Sequence, residues 1–110
     1  MDIKVISTDM APAAIGPYSQ GTRAGNMAFF SGQLGIDPAT GKLAEGGVKA
    51  QAEQSLKNIK ALLESIGATP ANIVKTTIYL VDIADFTVVN EVYAKFFDGV
   101  YPARSCVAVH

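Results

Sequence analysis

The stretch IVKTTIYLV, residues 73–81, decides the fold because it alternates in polarity and is rich in β-branched residues. This pattern is typical of a β-strand. Side chains alternate between the two faces of a strand, and both faces of this one are substantially apolar: Thr76, Ile78 and Leu80 on one side, Lys75, Thr77, Tyr79 and Val81 on the other. The strand therefore needs cover on both sides.

Two amphipathic helices flank this strand in the sequence. The first is predicted from Val48 to Ile66, where apolar residues recur every three or four positions, and it ends at Gly67. The second is predicted over residues 86–97, with Asp85 as its N-cap. Its apolar stripe consists of Phe86, Val89, Tyr93, Phe96 and Phe97. Each helix has a single apolar face, so both are expected to pack on the same face of one sheet.

The remaining elements complete an α+β domain. A strand over residues 3–7 precedes a hairpin of strands 22–24 and 27–33, and a final strand follows Pro102. The segment IDPATGKL, residues 36–43, predicts a turn. The segment TPANI, residues 69–73, predicts a helical turn. Because no repeat or linker interrupts this order, residues 1–110 are interpreted as one domain. Its second, half-apolar sheet face predicts a homo-oligomer.

Composition excludes several classes of protein. The net charge is −1 and 17% of residues are charged, which is not the basic excess of a general nucleic-acid-binding protein. No apolar run approaches the roughly 20 residues of a membrane-spanning helix, and the N-terminus does not read as a secretory signal. A single cysteine, Cys106, and a single histidine, His110, argue against a disulfide and against a metal site. A cytoplasmic protein without a metal or cofactor is expected.

The final strand, ARSCVAV from residue 103, carries an arginine and the only cysteine two positions apart. Arg104 and Cys106 therefore share a face. If Val107 and Val109 pack against the helices, that face is the open one, which oligomerisation converts into a cleft between subunits. A guanidinium there is suited to binding a carboxylate in a bidentate manner, and it favours the thiolate of its neighbour. The alternative is that Arg104 forms a salt bridge and Cys106 is a small core residue.

Five segments, in order along the whole chain, resemble the RidA/YjgF/YER057c/UK114 family, whose older name is the endoribonuclease L-PSP or translation-inhibitor family. They are AIGPYSQG (14–21), FFSGQLGIDPATG (29–41), QAEQSLKNIKALLESIGA (51–68), VKTTIYLVDIADFTVVNEVYAKFF (74–97) and YPARSCVAV (101–109). The resemblance implies a chorismate-mutase-like α+β fold, with one mixed sheet and both helices on one face. It also implies a homotrimer whose sheets form a central barrel, with ligand sites between subunits. The implied activity is hydrolysis of 2-iminobutanoate, 2-iminopropanoate and related enamines to 2-oxo acids and ammonia, without cofactor or metal.

By position, the resemblance also implies which residues form the site. Arg104 would hold the substrate carboxylate, Tyr18 would close the cleft, and Cys106 would lie beside the carbon that water attacks. Ser31, Gly32 and Asn90 would line the pocket. An imine needs only orientation, a water molecule and a proton for the departing nitrogen, so no covalent nucleophile is required.

Two alternatives and one difference from the family remain. The same carboxylate cleft suits a regulatory module that senses a metabolite or binds a partner. An endoribonuclease or translation inhibitor is less well supported, because the sequence has no paired histidines, basic patch or aromatic stacking platform.

Members of the family continue into a final strand that carries a water-activating glutamate. The present chain ends at His110 and is expected to lack that strand, which would leave strand 104–109 with an unpaired edge.

Overall fold

A computed structural model describes residues 2–110. Within them the strands are β1 (Ile3–Ile6), β2 (Gly21–Ala24), β3 (Met27–Phe30), β4 (Ile36–Asp37), β5 (Lys42–Leu43), β6 (Lys75–Leu80) and β7 (Ala103–Ala108), and the helices are α1 (Gly47–Ser65) and α2 (Phe86–Phe96). The predicted α+β class and both long helices are confirmed. None of the helices in this part of the chain is long and apolar enough to cross a membrane.

The first sheet is antiparallel in the order β1-β2-β3. Its hairpin turns at Gly25, whose φ of 62° is readily adopted by glycine, as the Ala-Gly-Asn sequence predicts. The predicted turn after β3 is also present, and it carries two added strands, because β4 and β5 pair through Ile36 and Leu43. Helix α1 covers the first sheet, where Leu62 packs with Ile6 and Ala11 in a buried cluster.

The second large sheet consists of β6 and β7, which run parallel with Thr76 opposite Arg104 and Ile78 opposite Cys106. The prediction of one continuous sheet is wrong for the described residues, which form three separate sheets. The physical reason is that β3 and β6 each have a partner on one edge only, so no backbone hydrogen bonds connect the two ladders. The helices connect them instead, because α1 packs against α2.

The turns before α2 correct a second prediction. Asp82, rather than Asp85, supplies the side-chain cap: it accepts a hydrogen bond from the backbone N–H of Ala84 at 2.9 Å and begins a short 3₁₀ turn, Ile83–Asp85. Asp85 precedes α2 without a capping hydrogen bond. The chain enters α2 directly from this 3₁₀ turn. The capping carboxylate is therefore that of Asp82, at the start of the 3₁₀ turn, and not that of Asp85, at the start of α2. The helical turn at Pro70–Asn72 is as predicted, with Thr69 at the N-cap position, where its backbone N–H donates to Oδ1 of Asn72 at 2.9 Å. Helix α1 ends with Ile66 as its C-cap, one residue before the predicted Gly67, whose φ is 71°.

The two faces of β7 are the reverse of the prediction. Arg104 and Cys106 are half-buried, whereas Val107 and Val109 are 44% and 41% exposed. Arg104 contacts Asn90 and Tyr93 of α2, so its face of the strand lies towards the helix. The pattern rule fails here because α2 presents an amide and aromatic rings that accommodate a guanidinium better than two valines. The open face of this sheet consequently carries the valines and Tyr79, which is 68% exposed.

Candidate functional site

A cleft of about 390 Å³ opens where α2 meets the start of β7. It is lined by Asn90, Tyr93, Ala94, Tyr101, Pro102 and Arg104. Pro102 is incompatible with a helix interior, and the chain passes directly from it into β7. The charged side chain two residues later is thereby placed against α2, at the wall of the cleft.

Arg104 is held on several sides. Its Nη1 donates a hydrogen bond to Oδ1 of Asn90 at 2.8 Å. The guanidinium carbon lies 4.9 Å from the centre of the Tyr93 ring and 5.4 Å from that of Phe86, both distances typical of cation–π contacts. Within residues 2–110, Asn90 is the only side chain that accepts a hydrogen bond from Arg104. An arginine fixed by an amide and two rings keeps its full charge available for a ligand.

The guanidinium of Arg104 also has unused hydrogen-bond donors. It carries five N–H groups, and the bond to Asn90 uses one of them. No fully buried side-chain nitrogen or oxygen in residues 2–110 lacks a hydrogen-bond partner, so the unpaired nitrogens of this half-buried side chain are at least partly accessible to solvent. A planar fork of this kind matches a carboxylate or a similar oxyanion.

Tyr93 is itself anchored. It is 7% exposed, and its hydroxyl lies 2.7 Å from Oγ1 of Thr76 on β6. Its ring packs at 4.8 Å from that of Phe97. The sequence assigned Tyr93 only to the apolar stripe of the second helix, and its contact with Arg104 was missed because it crosses from a helix to a strand.

Cys106 lies beside this cleft without lining it. The thiol is free and half-buried, and it shares a face of β7 with Arg104. Its partner across the parallel ladder is Ile78. The surroundings are thus mainly apolar on one side and cationic on the other.

The other predicted site residues form a second group on the loops around β2 and β3. Oγ of Ser31 donates to the backbone carbonyl of Ser19 at 2.7 Å. Tyr18 is 51% exposed and lines a separate cavity of about 310 Å³. Gly32 borders open space, because a Cβ atom placed on it would meet nothing within 4 Å. None of these three residues lines the cleft of Arg104, so within residues 2–110 the predicted site lies in two parts.

Comparison with known proteins identifies the family. Residues 8–110 match the family described as Endoribonuclease L-PSP. A 2-iminobutanoate/2-iminopropanoate deaminase from Salmonella typhimurium is 51% identical over 109 residues, which are 96% of this chain and 84% of that protein. The chloroplastic Reactive Intermediate Deaminase A of Arabidopsis thaliana is 52% identical over 106 residues, and the chain spans 57% of its length.

A solved structure resembles the whole arrangement. Escherichia coli TdcF with bound serine superposes with a TM-score of 0.92 and 46% identity, covering 96% of this chain and 85% of that one. The match to the family extends from the loop of Tyr18 to the strand of Arg104, and it includes all the segments on which the resemblance rests. The chain belongs to the RidA/YjgF family, also described as endoribonuclease L-PSP.

Proposed function

We propose that this chain hydrolyses reactive 2-imino acids, such as 2-iminobutanoate and 2-iminopropanoate, to 2-oxo acids and ammonia. The observation that carries the proposal is Arg104, a guanidinium with unused donors at the wall of an open cleft. Every substrate of this class has a carboxylate next to the reacting carbon. The activity named for the Salmonella relative, 51% identical, supports the same reaction.

The reaction needs little from the protein beyond orientation. Water adds to the carbon of the protonated imine, and the resulting carbinolamine loses ammonia to leave the 2-oxo acid. Arg104 binds the carboxylate and fixes the direction of the C=N bond, while Asn90 and Tyr93 keep the guanidinium in place. Cys106, on the same face, lies close to the reacting carbon without forming a bond to it. The hydrolysis balances with one water consumed and one ammonia released.

The complete site is proposed to form between subunits of a homotrimer. Tyr18, Ser31 and Gly32 lie apart from the cleft of Arg104 in one chain, so a neighbouring copy is needed to complete the pocket. The open face of β6 and β7 supports this assembly, because Tyr79 and Val107 are 68% and 44% exposed there. Apolar side chains on an exposed sheet face are typical of an interface. The solved structure of TdcF contains bound serine, which also has a carboxylate. This agrees with a carboxylate-binding site.

The test is to generate 2-iminobutanoate in situ with an amino-acid oxidase and to measure the rate of 2-oxobutanoate formation above the uncatalysed rate. The unmodified chain is expected to accelerate the reaction. Arg104→Ala should lower kcat/KM by about 100-fold, as expected for the loss of a charge-assisted bidentate contact. Arg104→Lys keeps the charge but not the planar fork, so an intermediate rate is expected.

Arg23→Ala is the matched control, because Arg23 is exposed on β2 and its Nε donates only to the carbonyl of Gly25 in the adjoining turn. It should leave the rate unchanged. No acceleration by the unmodified chain would refute the deaminase activity. If 2-oxobutanoate still bound in an Arg104-dependent manner, the cleft would instead belong to a regulatory binding module.

A further inference from the structure

Gln20 is one of two buried polar side chains among the described residues, with 5% of its surface exposed. Its Nε2 donates to the backbone carbonyls of Pro12 at 2.8 Å and Thr8 at 3.0 Å, with a longer contact to that of Ala11 at 3.3 Å. Its Oε1 accepts a hydrogen bond from the backbone N–H of Thr8 at 2.7 Å. One side chain thus contacts four backbone groups of a segment that lies 8 to 12 residues away in sequence, and its two N–H groups and its oxygen form three short hydrogen bonds among them.

This amide continues a β-ladder where the backbone no longer can. The last backbone pair between β1 and β2 is Ile6 with Gly21. Beyond it, the side-chain amide of Gln20 bonds both the N–H and the C=O of Thr8, as a peptide group on a neighbouring strand would. Residues 11–17 contain two prolines and a glycine, which prevents a regular ladder there. The buried carbonyls of this loop therefore depend on Gln20 for a donor.

The segment fixed in this way presents Tyr18. The backbone carbonyl of Gln20 accepts from the N–H of Ser31 at 2.9 Å, and that of Ser19 accepts from the Ser31 hydroxyl at 2.7 Å. The N–H of Tyr18 donates to the carbonyl of Gly16 in a tight turn at 2.8 Å. The base of the loop is thus held by three bonds, while the ring of Tyr18 is half exposed.

We propose that Gln20 is a positioning residue of the ligand site: its buried amide orders residues 8–19 so that Tyr18 is held ready to close over the ligand. This inference rests on the proposed function, in which Tyr18 contacts the substrate. Gln20 lines the same 310 Å³ cavity as Tyr18, but both polar atoms of its amide are bonded to the backbone of residues 8–12, so its proposed role is positioning. Its loss leaves the backbone groups of Thr8, Ala11 and Pro12 to water, and the ordering of the loop must then come from ligand binding.

The test combines a double-mutant cycle with hydrogen exchange. Gln20→Met keeps the shape of the side chain and removes all of its hydrogen bonds, and it should lower kcat/KM by about tenfold, the equivalent of one net hydrogen bond. The change should fall mainly on KM. In a Tyr18→Ala background, Gln20→Met should lower kcat/KM no further, because both substitutions remove the same closure. The amides of residues 8–19 should lose protection from exchange in Gln20→Met alone.

Gln54→Met is the matched control, since Gln54 lies on α1 and its Nε2 donates to Asn58. Its effect should be additive with that of Tyr18→Ala, and it should leave the protection of residues 8–19 intact. Gln20→Asn, which keeps an uncharged amide but shortens the side chain by one methylene and so withdraws it from Thr8 and Pro12, replaces Gln20→Met if the latter fails to fold. Additive effects of Gln20→Met and Tyr18→Ala, or unchanged protection of residues 8–19, would overturn the inference. An unmodified chain without deaminase activity would refute the proposed function alone, and the exchange experiment would still decide whether Gln20 orders the loop.

Discussion

The two parts of the site are held together by different means. Around Arg104, side chains contact side chains across regular elements: Asn90 and Tyr93 of α2 fix the guanidinium, and Thr76 of β6 fixes Tyr93. Around Tyr18, a buried amide instead bonds the backbone of a loop. The first part is therefore as rigid as the packing of a helix on a sheet. The second is a loop whose order depends on a few long-range hydrogen bonds, which suits the closing role proposed for Tyr18.

The loop part has a second anchor of the same kind in Asn58. This side chain is 1% exposed, and its Nδ2 donates to the carbonyls of Leu34 at 3.1 Å and Ile36 at 2.9 Å. These carbonyls belong to the segment that follows Gly32 and leads into β4. Asn58 thus attaches the segment beyond Gly32 to α1, as Gln20, immediately before β2, attaches residues 8–12 to the start of that strand.

The largest expected effect comes from a substitution that prevents the proposed assembly, in which the two parts of the site, from neighbouring subunits, would meet. Tyr79→Glu places a carboxylate on the open face of β6, opposite the exposed Val107. Burial of this charge in an interface is strongly unfavourable, so the proposed trimer, with three times the 11.5 kDa of one chain, should dissociate to single chains. Deaminase activity should then be lost. Sedimentation and the imine assay measure the two results on the same sample.

Lys57→Glu, on the exposed side of α1, is the control for the added negative charge and should leave both mass and activity unchanged. A Tyr79→Glu chain with unaltered mass would show that the open face is not the interface. A single chain that retained full activity would show that Arg104 needs no residue from a neighbour.

The next effect tests the loop part through stability. Asn58→Leu removes the donors for Leu34 and Ile36 while keeping the branching and the number of heavy atoms of the side chain. Two part-buried carbonyls and the amide of Gln54 lose their partner, and the Asn58 site itself is 1% exposed, so the free energy of unfolding should fall by about 2–4 kcal/mol. Urea unfolding at constant m-value measures it. A loss below about 0.5 kcal/mol would mean that the segment after Gly32 is held by other contacts.

The success of sequence reasoning differs between the same two regions. The helices were predictable because an apolar stripe at helical spacing is a local property, and Leu62 and Tyr93 are buried as that spacing requires. Which face of β7 lies towards α2 was not predictable in this way. The rule that places valines inwards takes no account of Asn90 and Tyr93 of α2, which contact Arg104. Gln20 and Asn58 were missed for a related reason. Their burial is explained only by hydrogen bonds to residues 8–12 and 22–24 positions away, and an amide within a loop or a helical stripe carries no local sign of such bonds.

The smallest expected effect tests the rigid part at Tyr93. Tyr93→Leu removes the ring against Arg104, and kcat/KM should fall by about tenfold, since a partly desolvated cation–π contact contributes on the order of 1–2 kcal/mol. Tyr93→Phe keeps the ring and loses only the bond between the hydroxyl and Thr76. Its effect on kcat/KM should stay below about threefold, although its stability should fall by about 1 kcal/mol. The separation of the two readouts is what identifies positioning: the ring governs kcat/KM, and the hydroxyl governs folding. If Tyr93→Leu and Tyr93→Phe reduced kcat/KM equally, Asn90 and the ring of Phe86 would be sufficient to hold Arg104, and the ring of Tyr93 would serve only the packing of α2.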